Sequence, residues 1–140
     1  MDAFDADVLI YAAVADHPLG RRVRALFPTE GPAAGAPTAG IGSVLLVPEL
    51  LSKPMREGTT VEQQALAALL GRLDLRPVDA RLAELATALA AAHRLRAADA
   101  VHLATAVSVG ADRFITNNAR DFGKEIAEVE ITYPADLPEP

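Results

Sequence analysis

The sequence predicts an α/β domain: a mostly parallel sheet covered by helices on both faces. Two observations carry this. Short β-prone runs alternate with amphipathic or Ala/Leu-rich helical stretches along the chain, the order produced when successive strands are joined by crossover helices. The chain has 140 residues, of which 51 % are hydrophobic and 23 % charged. That supplies one core, enough to offset chain entropy, and not two. A single domain over 1–140 is expected, with no internal repeat.

In order, the first strand ends at Ala3-Phe4-Asp5. Val8-Leu9-Ile10-Tyr11-Ala12-Ala13 opens a helix for which Asp7 is a suitable N-cap. Residues 19–27 form a second helix, because Leu19, Val23, Leu26 and Phe27 share one face and Arg21, Arg22 and Arg24 fall mostly off it. The Gly-, Pro- and Ala-dense stretch 30–42 is a loop closing in a short strand near Ala39-Gly40-Ile41. Ser43 can cap a helix over 44–51 with Pro48 in its first turns, where a missing N–H costs least. Helices follow at 60–70, 80–92 and 97–109, with strands at 73–78 and 112–116 and an alternating edge strand at 129–133.

Composition narrows the function. Without cysteine there is no disulfide, thiolate metal site or Cys nucleophile, a pattern compatible with a reducing cytoplasm. No apolar run reaches the roughly 18 residues of a membrane span, and Asp2, Asp5 and Asp7 replace the basic start of a signal peptide. A soluble, cytoplasmic protein is expected. The net charge of −6 opposes a broad cationic face, so any nucleic-acid role must work around it. Four Phe, two Tyr and no Trp offer few base-stacking platforms.

Four carboxylates stand in apolar company. Glu49 interrupts Val44-Leu45-Leu46-Val47 and Leu50-Leu51, which should bring it beside the core. Asp99 shares a helix face with Leu103 and Ala106, although it could instead be a helix N-cap. Asp5 ends the first strand and Asp121 follows the strand at 112–116, positions along the crevice outside the carboxyl ends of a parallel sheet. The plainer alternatives are a solvent-facing turn acid at Asp5 and an Asx-turn residue at Asp121. A buried carboxylate must be paired, protonated or set against a metal. Converging acids without Cys and with few His suit Mg²⁺ or Mn²⁺, whose chemistry favours attack on phosphodiesters. His102 is expected to be a core or dimer-interface residue. Arg21, Arg22, Arg24, Arg94, Arg96, Arg113 and Arg120 are either solvated charges or a phosphate-gripping rim.

Four segments carry a family resemblance. Phe4-Asp5-Ala6-Asp7-Val8-Leu9-Ile10-Tyr11 resembles the D-x-N-V-L-I-Y opening of PIN-domain ribonucleases, particularly the VapC toxins of toxin–antitoxin modules. Ser43 to Leu51 resembles their S-x-x-x-x-x-E-L-L helix, Ala98 to Ala106 their A-D-A-x-h-A-A-T-A helix, and Thr116 to Phe122 their T-x-N-x-R-D-F turn. Each is weak alone; in this order they are specific. The resemblance implies a three-layer α/β/α fold around a sheet of four or five strands, and a Mg²⁺- or Mn²⁺-dependent endoribonuclease. It carries over Asp5, Glu49, Asp99 and Asp121 as catalytic and metal-holding residues, with Thr116 and Asn118 orienting the fourth acid or a water. Asp7 replaces the family's usual Asn and is a supporting residue. RNA as substrate, a small antitoxin as partner and a homodimer are implied as well. Two other readings compete. Asp5-Ala6-Asp7 after a strand suits a haloacid-dehalogenase-like phosphatase, which would need a well-placed Lys where only Lys53 and Lys124 exist. The other is a non-catalytic PIN-like module that binds RNA or protein.

Overall fold

The computed structural model describes residues 1–28 and 38–140. Its strands are β1 (Asp2–Phe4), β2 (Gly40–Ser43), β3 (Leu73–Arg76), β4 (Arg113–Ile115) and β5 (Glu130–Thr132). Its helices are α1 (Ala6–Ala13), α2 (Pro18–Arg24), α3 (Leu46–Glu57), α4 (Thr60–Leu70), α5 (Ala80–His93) and α6 (Ala97–Ser108), with a final 3₁₀ turn at Pro134–Asp136. The strands form one parallel sheet in the order β3-β2-β1-β4-β5.

Strand alternation divides the core in two. Ala3 is in register with Ile41 and Phe114, and Phe114 with Ile131; this row packs against α5 and α6 through Leu82, Ala86, Leu89, Leu103 and Ala106. Phe4 and Ile115, one residue on, point to the opposite face and meet Val8, Leu9, Leu46, Leu50, Leu66 and Leu70 of α1, α3 and α4. The result is the three-layer α/β/α arrangement with five strands. Each fully buried aliphatic side chain, such as Leu9 or Leu103, contributes about 1.5–3 kcal/mol.

Local chemistry sets the helix ends. Asp79 caps α5 by accepting from Leu82 N at 2.8 Å, and Gly58 ends α3 in the left-handed region at φ 70°. Gly20 is required by close approach: a Cβ there would stand 2.0 Å from the Tyr11 carbonyl oxygen, so glycine lets α2 rest on the backbone of α1.

Several expectations shift. The N-cap of α1 is Asp5, not Asp7: the strand ends one residue earlier, at Phe4, and the helix starts at Ala6. Ser43 does not cap α3. It ends β2, and its hydroxyl accepts from Leu45 N at 3.1 Å inside the turn, while the helix begins at Leu46 without a side-chain cap. That helix continues past Leu51 to Glu57, because Pro54 turns its ring into the core in line with Leu46 and Leu50. The second helix ends at Arg24 rather than at 27. Of the loop expected at 30–42, residues 30–37 lie outside the described residues; the strand that follows it is β2. Among the described residues, no helix is long and apolar enough to cross a membrane.

Candidate active site at the carboxyl ends of the central strands

From β1 the chain moves outward to β2 and β3 and then crosses back to β4 and β5, so the strand order reverses between β1 and β4. In open α/β sheets ligands bind outside the carboxyl ends of the strands at such a reversal. Asp5 and Thr116 are the residues that leave those two strands. Asp5 N donates to the Ile115 carbonyl at 2.9 Å, and the Thr116 hydroxyl donates to Asp5 Oδ2 at 2.8 Å. Asp5 Oδ1 accepts from Ala6 N at 2.8 Å, which places the carboxylate at the positive end of α1. Only 5 % of the residue is exposed. Burial raises its pKa, against the lowering influence of His102 and these hydrogen bonds.

Asp7 lies in the first turn of α1. Its Oδ2 accepts from Asn117 N at 3.0 Å, while its Oδ1 is buried without a partner. Burial, then the charge of Asp5, pushes this carboxyl up to about 7. Asn117 also donates through Nδ2 to the Tyr11 hydroxyl at 3.4 Å, and Tyr11 stacks on His17 with ring centres 4.4 Å apart.

Asp99 stands in the first turn of α6, partly exposed, with its pKa raised by burial and then by the charges of Asp5 and Asp121. Asp121 sits in the turn after β4, where Asn118 Nδ2 donates to its Oδ2 at 2.9 Å and its own N–H donates to Asn118 Oδ1 at 3.2 Å. Glu49 enters from α3, its carboxylate bonded to Nε2 of His102. Burial alone would lower the pKa of His102; the Glu49 bond and the charges of Glu49, Asp5 and Asp99 outweigh it and hold it above the ordinary value.

Four chain segments thus bring Asp5, Asp7, Glu49, Asp99 and Asp121 within electrostatic reach of one another. Among the strongest influences on Asp5, Asp7 and Asp99 the one basic side chain is His102, and no Lys or Arg is among them. Lys124 is engaged with Asp136 at 2.6 Å and Lys53 is exposed on α3, so the lysine required by the phosphatase reading is not supplied. Among the described residues, no three His, Asp or Glu side chains close tightly enough to enclose a metal by themselves. The donors nevertheless suit a hard cation that keeps part of its water shell and takes only one or two carboxylates directly. All are oxygens, and one buried oxygen of Asp7 is orphaned among the described residues. Asp5, Glu49, Asp99 and Asp121 are the residues that could hold it.

A family model described as the PIN domain matches residues 3–127. The chain belongs to the PIN domain family. No curated protein sequence matches it. Among solved structures, it resembles a chain of a toxin–antitoxin complex from Klebsiella pneumoniae, with TM-score 0.74 and 21 % identity over 96 % of this chain and 98 % of that one. A chain of VapBC2 from Rickettsia felis, bound to a fragment of its promoter DNA, gives TM-score 0.68 and 18 % identity over 94 % and 97 %. A chain of FitAB bound to an IR36 DNA fragment gives 0.61 and 22 % over 99 % and 98 %. At these identities the likeness is one of fold.

In this PIN domain several side chains do other work than the sequence suggests. Asp99 is not an N-cap; that position is Arg96, which makes no capping bond. Asn118, rather than Asp121, is the side chain that closes the turn onto a backbone N–H. Thr116 meets Asp5 and not the fourth acid. Glu49 keeps a third of its side chain exposed, and its carboxylate meets buried His102. Three of the arginines are structural: Arg22 binds the Ala135 and Leu137 carbonyls, Arg24 those of Ala12, Val14 and Ala15, and Arg113 grips Asp2 through two 2.8 Å bonds. His102 also meets an acid, Glu49, and Asn117 N meets Asp7, contacts that the sequence alone does not indicate. For His102, its spacing one helical turn after Asp99 is the nearest signal.

Proposed function

We propose that this PIN domain is a Mg²⁺- or Mn²⁺-dependent endoribonuclease and the toxin of a toxin–antitoxin pair. The observation that carries the reading is the crowding of five carboxylates at the β1/β4 reversal, with His102 the one basic side chain among the strongest influences on Asp5, Asp7 and Asp99. Such a site repels a phosphodiester unless a cation joins it. Asp5, Glu49, Asp99 and Asp121 would hold that cation. When bound, it lowers the pKa of water and offsets the charge gathering on the phosphate oxygens.

The chain's own residues supply order. Asp5 is fixed by Thr116 and Ala6, and Asp121 by Asn118, so two acids meet an incoming ligand in set orientations. Asp7, with its carboxyl near 7, can keep or release a proton at its free Oδ1 around neutral pH. Exposed Arg96, at the start of α6, and Arg120, beside Asp121, are the cations available to grip RNA phosphates at the rim. An acidic crevice also suits a cationic side chain from a protein inhibitor. The fold shared with chains of toxin–antitoxin complexes supports a small antitoxin as partner; a homodimer acting in the cytoplasm completes the proposal.

The reading is tested by incubating a structured RNA and, separately, a generic phosphomonoester with the protein in Mg²⁺ and in excess EDTA. RNA cleavage in Mg²⁺ alone, with the phosphomonoester untouched, is the expected result. Phosphomonoester turnover without RNA cleavage returns the phosphatase; RNA binding without cleavage returns the non-catalytic module. A small protein encoded beside this one should co-purify with it, and a chain recovered alone and harmless at high expression contradicts the toxin assignment.

A further inference from the structure

We infer that His102 is a positioning residue: from inside the core it holds the Glu49 carboxylate at the crevice where Asp5 and Asp99 stand. The inference deepens the metal-site reading above and rests on it.

Glu49 cannot hold its own place. It sits in the first turn of α3 on the outer side of the helix, with a third of its side chain exposed. Among the described residues its carboxylate has one hydrogen-bond partner, Nε2 of His102. Without that partner the long side chain spreads over its rotamers, most of them directed at solvent.

His102 is the opposite case. Its side chain is 1 % exposed, on a helix whose Ala100, Leu103, Ala104 and Ala106 are buried as well. Packing does not explain a polar ring there. Among the described residues its Nδ1 has no hydrogen-bond partner, so burial leaves one ring nitrogen unsatisfied, a cost that leucine would avoid. The bond to Glu49 is the compensating contact. Because a carboxylate only accepts, Nε2 carries the proton in this pair. His102 also follows Asp99 by three residues on α6, so one helix face carries an acid of the site and the clamp for another. Through the clamp, the spacing of Glu49 and Asp99 is set by a rigid helix rather than by two mobile side chains.

The test compares wild type with His102→Gln, His102→Leu, Glu49→Ala and the double variant Glu49→Ala/His102→Leu, reading Mn²⁺ affinity by calorimetry and folding by circular dichroism. His102→Leu is expected to weaken Mn²⁺ binding about 10- to 100-fold. His102→Gln, whose amide can still donate, restores most of it, and in the Glu49→Ala background His102→Leu adds no further loss. Wild-type affinity in folded His102→Leu, or an equal loss with and without Glu49, overturns the inference. Should His102→Leu fail to fold, the ¹⁵N ring signal of His102 in metal-free protein decides. It should report a bonded Nε2–H in wild type that changes in Glu49→Ala, and an unchanged signal overturns the clamp. A wild type that binds no Mn²⁺ sinks the metal-site reading instead, while the ring signal still tells whether His102 holds Glu49.

Discussion

Asp7→Asn restores the residue that the family motif usually carries, and it should stabilise the metal-free protein in a pH-dependent way. The Asp7 carboxyl is pushed from its ordinary 3.8 up to about 7, first by burial and then by the charge of Asp5. Between those values the folded chain keeps a proton that the unfolded chain releases. Stability from this group is therefore whole below pH 3.8 and is lost as pH rises to 7. At about 1.4 kcal/mol for each tenfold change in proton affinity, the span amounts to about 4 kcal/mol above neutrality. Asparagine removes that penalty and keeps the acceptor for Asn117 N. Its amide N–H₂, however, falls where Asp7 Oδ1 has no partner, at a cost of about 1–2 kcal/mol. The net gain is about 2–3 kcal/mol at pH 8, vanishing or reversing near pH 4. Urea titrations of both proteins in EDTA from pH 4 to 8.5 measure it. Mn²⁺ should narrow the gap, since a bound cation favours the ionised carboxylate. A difference independent of pH, or a wild type more stable than the variant at pH 8, refutes the reasoning.

Three further outcomes follow. Asp99→Asn should keep the fold, because Asp99 is partly exposed and is not the N-cap of α6, and should weaken Mn²⁺ binding at least about a hundredfold by calorimetry. Unchanged binding would remove Asp99 from the site. Thr116→Val deletes the hydroxyl that donates to Asp5 Oδ2 and accepts from Asn118 N. A loss of about 1–3 kcal/mol in urea denaturation is expected at neutral pH, and no loss would mean that Asp5 is not held as described. Arg113→Ala breaks the pair with Asp2 that ties β4 to β1 at the end of the sheet away from the acids. About 1 kcal/mol of stability should go with RNA cleavage unchanged.

The parallel sheet is legible because its central strands are almost wholly buried and are punctuated by helices with plain periodicity. The helix expected over 60–70 is Thr60–Leu70, and the edge strand over 129–133 is centred on Glu130–Thr132. Boundaries differ where a polar side chain serves a nearby turn or an earlier helix end than periodicity indicates. Ser43 served a turn rather than a helix, and the cap of α1 passed from Asp7 to Asp5. The acids stood out because carboxylates are rare in such apolar surroundings. What holds them did not: Thr116 on Asp5 spans 111 residues and His102 on Glu49 spans 53. Local periodicity carries no record of contacts made by strand order. Among the arginines, Arg22, Arg24 and Arg113 proved to be structural for the same reason, since their partners lie on other elements.

The central claim is that the crevice acids direct water against an RNA phosphodiester, and the ends of the cut RNA test it most directly. Cleavage in Mg²⁺ should leave a 5′-phosphate and a 3′-hydroxyl with wild type, and no cut with Asp99→Asn. A 2′,3′-cyclic phosphate, or full cleavage by Asp99→Asn, would contradict it.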